Sequence, residues 1–167
     1  HADGQALAWQ IEERGIELDS ANLARLVKRK QALSMEILER TRPIAPGCRE
    51  VLERLSQRFL LALASSSSDQ TVALFWEASQ CREYFKVVRT GSQVLQAKPH
   101  PAIYLDTLSA LGCDTAWVVE DAVEGIRAAV AAGCSVIGVE GTFSASRLLA
   151  AGAQKTVSSI QELPGLL

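Results

Sequence analysis

Glu120 and Asp121 stand side by side at the end of an apolar run, Ala116 to Val119. A helical pattern opens directly after them, with Ile126, Ala129 and Val130 at helical spacing. A strand that delivers acids to its C-terminal end, just where a helix begins, is where open α/β sheets place their ligands. Mg²⁺ is typically bound by one or two carboxylates together with substrate oxygens and water, so Asp121 can supply one such ligand. Side chains alternate along a strand, which turns Glu120 elsewhere and leaves it a supporting or water-mediated part. The same residues also read as a helix start, because Asp121 and Glu124 have the spacing of a capping box.

Two further positions carry chemistry of a matching kind. Ser65 ends the apolar run Phe59–Ala64 and leads through Ser66, Ser67 and Ser68 into a helix. Small hydroxyls and free backbone N–H groups at a helix N-terminus suit a phosphate or carboxylate. The structural alternative is a plain cap, with Ser67 and Gln70 as the capping box. Lys98 lies in Ala97-Lys-Pro-His-Pro101, where Pro99 keeps it out of helical geometry and Pro101 suits the first turn of the next helix. A lysine fixed in this way can neutralise a phosphate as a point charge. Lys28, Arg29 and Lys30 form a basic turn that a solvated helix face also explains.

The elements that must position these groups alternate along most of the chain. Residues up to about 40 read as helical, with Leu7, Ile11 and Trp9 on a first short helix. Asp19 and Ser20 precede a longer one carrying Leu23, Leu26, Val27, Leu33 and Ile37. Thr41 to Gly47, with Pro43, Pro46 and Gly47, marks a boundary. Beyond it the spacing predicts a helix over 49–55, a strand over 59–64, a helix after the serines, and a short strand at Val87-Val88. A helix over 101–111, a strand from Ala116 with its helix, a strand over 135–139, a helix over 144–151 and a last strand near Thr156 complete the pattern. Such βαβα runs with non-alternating strands imply a parallel sheet covered by helices on both faces.

Composition narrows the function. The chain has 167 residues, 48% of them hydrophobic, enough for one core with a small appendage. A net charge of -2 and a pI near 5.7 give no electrostatic ground for a nucleic-acid partner. No apolar run approaches the roughly 20 residues that span a bilayer. Cys48, Cys81, Cys113 and Cys134 are far apart in sequence and form no C-x-x-C pair, which suits reduced thiols in a cytoplasmic protein.

The order of hydroxyl, lysine and acid pair, each at a strand end, resembles the haloacid-dehalogenase-like phosphohydrolase superfamily. Leu61-Ala-Leu-Ala-Ser-Ser-Ser67 is similar to its second motif and Lys98-Pro-His-Pro-Ala-Ile-Tyr104 to its third. Val118-Val-Glu-Asp-Ala-Val-Glu-Gly-Ile-Arg-Ala-Ala129 is similar to its fourth. The likeness is greatest to the subgroup of phosphoglycolate phosphatase, β-phosphoglucomutase and related sugar-phosphate phosphatases with a helical cap. It implies a three-layer α/β/α Rossmann-like core over residues 43–167, and a partial α-helical cap over residues 1–42. It further implies Ser65, with Ser66 beside it, as phosphate ligands, and Lys98 as the charge-stabilising lysine. Asp121 would be a Mg²⁺ ligand with Glu120 supporting it, and Lys30 falls where β-phosphoglucomutase has a cap lysine facing substrate phosphate.

The family's nucleophile, an Asp within D-x-D-G at the end of the first core strand, has no counterpart. Of Asp3, Asp19, Asp69, Asp106, Asp114 and Asp121, no two stand two residues apart. His1-Ala-Asp-Gly4 lacks a preceding strand. The expectation is that the chain opens inside the cap, without the first strand, leaving two strand edges in the middle of the sheet. An upstream segment, or a second copy in a homodimer, would complete it. The resemblance thus implies a Mg²⁺-dependent phosphatase acting on a small phosphorylated metabolite, such as phosphoglycolate or a sugar phosphate, in a longer parent, with this chain inactive alone. A phosphomutase shares that chemistry. A non-catalytic phosphate-binding or dimerisation module is the alternative from another class. A receiver-like signalling module would need a phosphoacceptor Asp at the end of a middle strand, where Arg89-Thr90 stand instead.

Overall fold

The computed structural model describes residues 19–41 and 43–167. The short helix expected around Leu7 and Ile11 lies outside them. Helix α1 (Ser20–Thr41) opens on Asp19, whose Oδ1 accepts from the Asn22 amide at 2.7 Å. It packs on the core along one side only, and Leu26, Leu33 and Ile37 remain exposed. Residues 43–47 then turn the chain, with Gly47 in the left-handed region at φ 70°. That positive φ is what favours glycine here; the nearest atom a Cβ would meet, the Gln161 amide nitrogen at 2.6 Å, ends a flexible side chain that can move aside.

The core follows as α2 (Cys48–Ser56), β1 (Leu61–Ala64), α3 (Asp69–Ser79), a 3₁₀ turn over Arg82–Tyr84 and β2 (Phe85–Arg89). It continues as α4 (Ala102–Leu111), β3 (Trp117–Glu120), α5 (Val123–Ala131), β4 (Ser135–Val139), α6 (Ala145–Ala150) and β5 (Lys155–Val157). A second 3₁₀ turn, Ile160–Glu162, precedes the short α7 (Leu163–Leu166). The expected alternation is present, and β4 has the bounds that its apolar run predicted.

Every strand pairing is parallel. Along β4, Val136 faces one helical layer and Ile137 the other, as a period of two requires. Val136 joins Ile103, Tyr104 and Leu108 of α4 and Ile126 and Ala129 of α5. Ile137 joins Val51 and Leu55 of α2, Val157 of β5 and Leu163 of α7. The fold is therefore α/β with helices on both faces of parallel strands. No helix among the described residues is long and apolar enough to cross a membrane.

The strands of the described residues form two sheets, β1-β2 and β3-β4-β5. The Ser65 amide donates to Arg89 O at 2.9 Å, and the Ser135 amide to Ala116 O at 3.0 Å. In a parallel ladder alternate residues bond to a given neighbour. The backbone groups of Ala62 and Ala64 on β1, and of Trp117 and Val119 on β3, are thereby turned away from their partners β2 and β4. A gap separates β1 from β3 in the middle of the fold, where the sequence led to the expectation of two strand edges. Trp117 is 45% exposed and Val119 38%, unusual for strands with helices on both sides.

Candidate active site

The C-terminal ends of β1 and β3 bring three of the expected residues together. Lys98 reaches across the gap: its Nζ donates to Ala64 O at 3.0 Å and to Glu120 Oε1. The side chains of this pair are only 10% and 11% exposed. A buried ion pair holds only when its remaining valences are met. Here Tyr104 supplies a second donor, since its hydroxyl donates to the same Glu120 oxygen, and its ring face lies 4.8 Å from Nζ. Burial, and then the neighbouring Glu120 charge, hold the Tyr104 hydroxyl well above the ordinary phenol range, so it stays a donor.

Local sequence explains how the partners of Lys98 arrive there. Pro101 is the N-cap of α4, and Tyr104 is buried on the inward face of that helix one turn later. Glu120 ends β3 facing the α4–α5 layer, and the space for its carboxylate is the missing side chain of Gly125. A Cβ there would come within 2.2 Å of it.

Asp121 is exposed and its carboxylate has no hydrogen-bond partner among the described residues. The capping box expected from Asp121 and Glu124 does not form. The N-cap of α5 is Ala122, in extended geometry and without a side-chain cap bond, so Asp121 falls one residue too early to reach the helix amides. Glu120, with Lys98 and Tyr104 on one oxygen, is arranged as the support of its neighbours. A free carboxylate beside a fixed ammonium matches a Mg²⁺ ion that keeps several waters and shares one protein carboxylate with substrate oxygens. The donor set thus fits that ion through Asp121. No cluster of three or more metal-binding side chains exists among the described residues.

The serine turn is fixed from several sides. Ser65 Oγ accepts from the Ser67 amide at 3.1 Å, and the Gly91 amide donates to Ser67 O at 2.9 Å. Gly91 lies so close that a Cβ would meet Ser66 O at 2.3 Å. Thr90, which is buried, donates through its hydroxyl to Asp69, the first residue of α3. The cap of α3 is Ser68, which accepts from the Thr71 amide at 3.3 Å, and not the expected Ser67 with Gln70. Ser67 is displaced from that role because its own backbone is engaged by Ser65 and Gly91.

Lys30 on α1 faces this turn. With Ser34, Ser66, Ser67, Ser68 and Ser92 it lines a cavity of about 440 Å³. Ser65 lines instead a smaller and more apolar cavity of about 280 Å³ with Leu63, Phe75 and Pro43. The expected residues therefore form two groups, Lys98–Glu120–Asp121 and Lys30–Ser66, joined through the adjacent Ala64 and Ser65. Tyr104, Gly125, Gly91 and Thr90 were assigned no role from sequence. A glycine inside a helix just after two acids is a legible signal for Gly125.

A family model described as haloacid dehalogenase-like hydrolase matches residues 4–139. The chain belongs to that family. Hexitol phosphatase B of Escherichia coli (strain K12) is 34% identical over 110 residues, 64% of this chain and 50% of that protein. A phosphoglycolate phosphatase of Mannheimia succiniciproducens is 30% identical over 139 residues, 81% of this chain and 62% of that protein. The matched stretch thus spans between half and two thirds of these haloacid dehalogenase-like relatives. Among solved structures, CbbY from Rhodobacter sphaeroides in complex with xylulose-(1,5)-bisphosphate superposes with a TM-score of 0.73 at 26% identity. That superposition covers 88% of this chain and 68% of that one. The two proteins related in sequence to this haloacid dehalogenase-like chain are named as phosphatases, of a hexitol phosphate and of phosphoglycolate.

Proposed function

We propose that this chain is the greater part of a Mg²⁺-dependent phosphatase for a small phosphorylated metabolite, a sugar phosphate or phosphoglycolate. The observation that carries the reading is Lys98, fixed by Ala64 O and Glu120 beside the exposed carboxylate of Asp121. In this reading Lys98 and the Ser65–Ser66 turn take the phosphoryl oxygens, and Lys30 meets the rest of the substrate from the cap side. Asp121 would hold Mg²⁺, which supplies positive charge to phosphoryl oxygens as they pass through the transition state. Glu120 and Tyr104 keep Lys98 in place, so that its charge needs no reorganisation during the reaction. Residues 1–42 belong to the cap and 43–167 to the core.

The attacking group is supplied from outside the described residues, by a segment that enters the gap between β1 and β3 as a parallel strand. A longer chain, or a second copy in a homodimer, can provide it. Alone, the chain binds phosphate without turning it over. The test is p-nitrophenyl phosphate hydrolysis by the purified 167-residue protein with Mg²⁺. No turnover, with phosphate binding lost in Lys98→Ala, is the expected outcome; phosphate binding that survives Lys98→Ala overturns the role given to that lysine.

A second reading, a non-catalytic phosphate-binding or dimerisation module, is favoured by the lack of any two aspartates two residues apart. Turnover by the pure protein that disappears in Asp121→Asn would exclude it. A phosphomutase differs from the first reading only in returning the phosphoryl group to the sugar.

A further inference from the structure

Strand β2 ends at Arg89, and the next residue, Thr90, is a polar side chain only 2% exposed. A buried hydroxyl needs a partner, and the partner here is an acid: Thr90 Oγ1 donates to Asp69 Oδ1. Asp69 is the first residue of α3, and its amide, which has no acceptor within the helix, donates to Ser92 Oγ at 3.3 Å. The loop after β2 thus holds Asp69 by both its backbone and its side chain. That loop is itself closed, since the Thr90 amide donates to Gln93 Oε1 at 3.2 Å and the Gln93 amide to Thr90 O at 3.1 Å. Where the carboxylate goes matters for the cavity beside it. Ser68 and Gln70, the residues on either side of Asp69, line the cavity of about 440 Å³, and Asp69 does not. Among the described residues, Lys30 is the only charged one on that lining.

We propose that Thr90 is a positioning residue for phosphate binding: by holding the Asp69 carboxylate against the end of β2, it keeps an acid out of the phosphate cavity. The role rests on the reading of the serine turn as a phosphate site. Ser66, Ser67 and Ser68 lead directly into α3, so a phosphate on that turn draws on the positive end of the helix. A carboxylate at the first position of the helix is attracted to the same end. Released from Thr90, Asp69 can turn toward the serines, where it repels the phosphate and competes for the same positive end. Held by Thr90, it stays at the helix terminus without entering the cavity. A threonine is required for this because the position is buried and must still donate one hydrogen bond. Thr90 itself touches neither phosphate nor metal in this arrangement; it acts through Asp69.

Titration calorimetry of the full 167-residue chain with inorganic phosphate and Mg²⁺ tests this in a cycle of variants. Thr90→Val keeps the shape of the side chain and removes the donor, and phosphate affinity should fall about fivefold, the effect of one acid brought to bear on a helix N-terminus. Thr90→Ser, which keeps the hydroxyl, should bind as the unmutated protein does. The readout that a purely structural Thr90 would not move is its coupling to Asp69. Asp69→Asn alone should leave the affinity within about twofold, because the carboxylate is already held away, but in the Thr90→Val background it should recover the lost affinity. Asp69 is exposed, so its single variant remains informative even if Thr90→Val does not fold. A gain of about fivefold from Asp69→Asn alone would show the acid already facing the phosphate and would overturn the proposal. A double variant as weak as Thr90→Val would overturn it as well. Phosphate binding that is lost in Lys98→Ala but unchanged in Thr90→Val removes this role alone, whereas no binding by the unmutated protein removes it together with the phosphatase reading.

Discussion

Gly125 lies directly against the carboxylate of Glu120, so close that a Cβ on it would come within 2.2 Å of the Glu120 Cδ. Glycine inside a helix costs about 1 kcal/mol relative to alanine. Here that cost makes room for the acid that holds Lys98. Gly125→Ala therefore destabilises by a net ~1–3 kcal/mol, because overpacking outweighs the gain in propensity. In a Glu120→Ala background the same change is stabilising. Urea denaturation of the four proteins in this cycle checks both signs.

Lys98 and Glu120 are each almost enclosed, so removing one partner leaves the other charge without compensation. Lys98→Met should cost about 3 kcal/mol in urea unfolding. Lys98→Met combined with Glu120→Gln should recover part of that loss, since no net charge is then left buried. A double variant as unstable as the single one would mean that packing of the lysine stem, and not the ion pair, carries the energy.

Asp121 is exposed and makes no structural bond among the described residues, so Asp121→Asn should change stability by less than about 0.5 kcal/mol. Titration calorimetry with inorganic phosphate, with and without Mg²⁺, should show a Mg²⁺-dependent gain in affinity that this substitution removes. Loss of stability with unchanged phosphate affinity would instead mark Asp121 as a structural residue.

Glu162 accepts from the Ser158 amide at 2.9 Å, the Ser158 hydroxyl at 2.8 Å and the Ser159 amide at 3.0 Å. The Ser158 side chain, and then the Ser159 backbone, hold its carboxyl below the usual range. A lowered folded value means that the stabilisation is complete above the unfolded value and is lost as pH falls through the folded one. The Tm difference between the unmutated protein and Glu162→Gln should thus be constant above about pH 5 and shrink toward zero in acid. Thermal melts across that range test the sign.

Much of this fold was written in local pattern. The apolar run 135–139 became β4 with the same bounds, and the runs before Ser65 and Glu120 became β1 and β3. Caps were less legible: Ser67 has the right side chain but its backbone is engaged by Ser65 and Gly91, and Asp121 falls one residue too early to reach the helix amides. Ser68 and Ala122 take the cap positions instead. Relationships between distant residues were not legible at all. The second donor to Glu120 from Tyr104 and the packing of Gly91 on Ser66 O are set by how helices lie on strands, which spacing along the chain does not encode.

The division of the strands into two sheets has a consequence for how the molecule opens. Among the described residues no ladder bond joins β1-β2 to β3-β4-β5, so within them cooperativity between the halves passes through side chains. Helix α4 packs against both β1 and β2 and shares a core with α5 and β4, while Lys98 ties Ala64 to Glu120. In hydrogen exchange, the amides of β1 and β2 would then form one opening unit and those of β3 to β5 another, with α4 as the hinge pin between them.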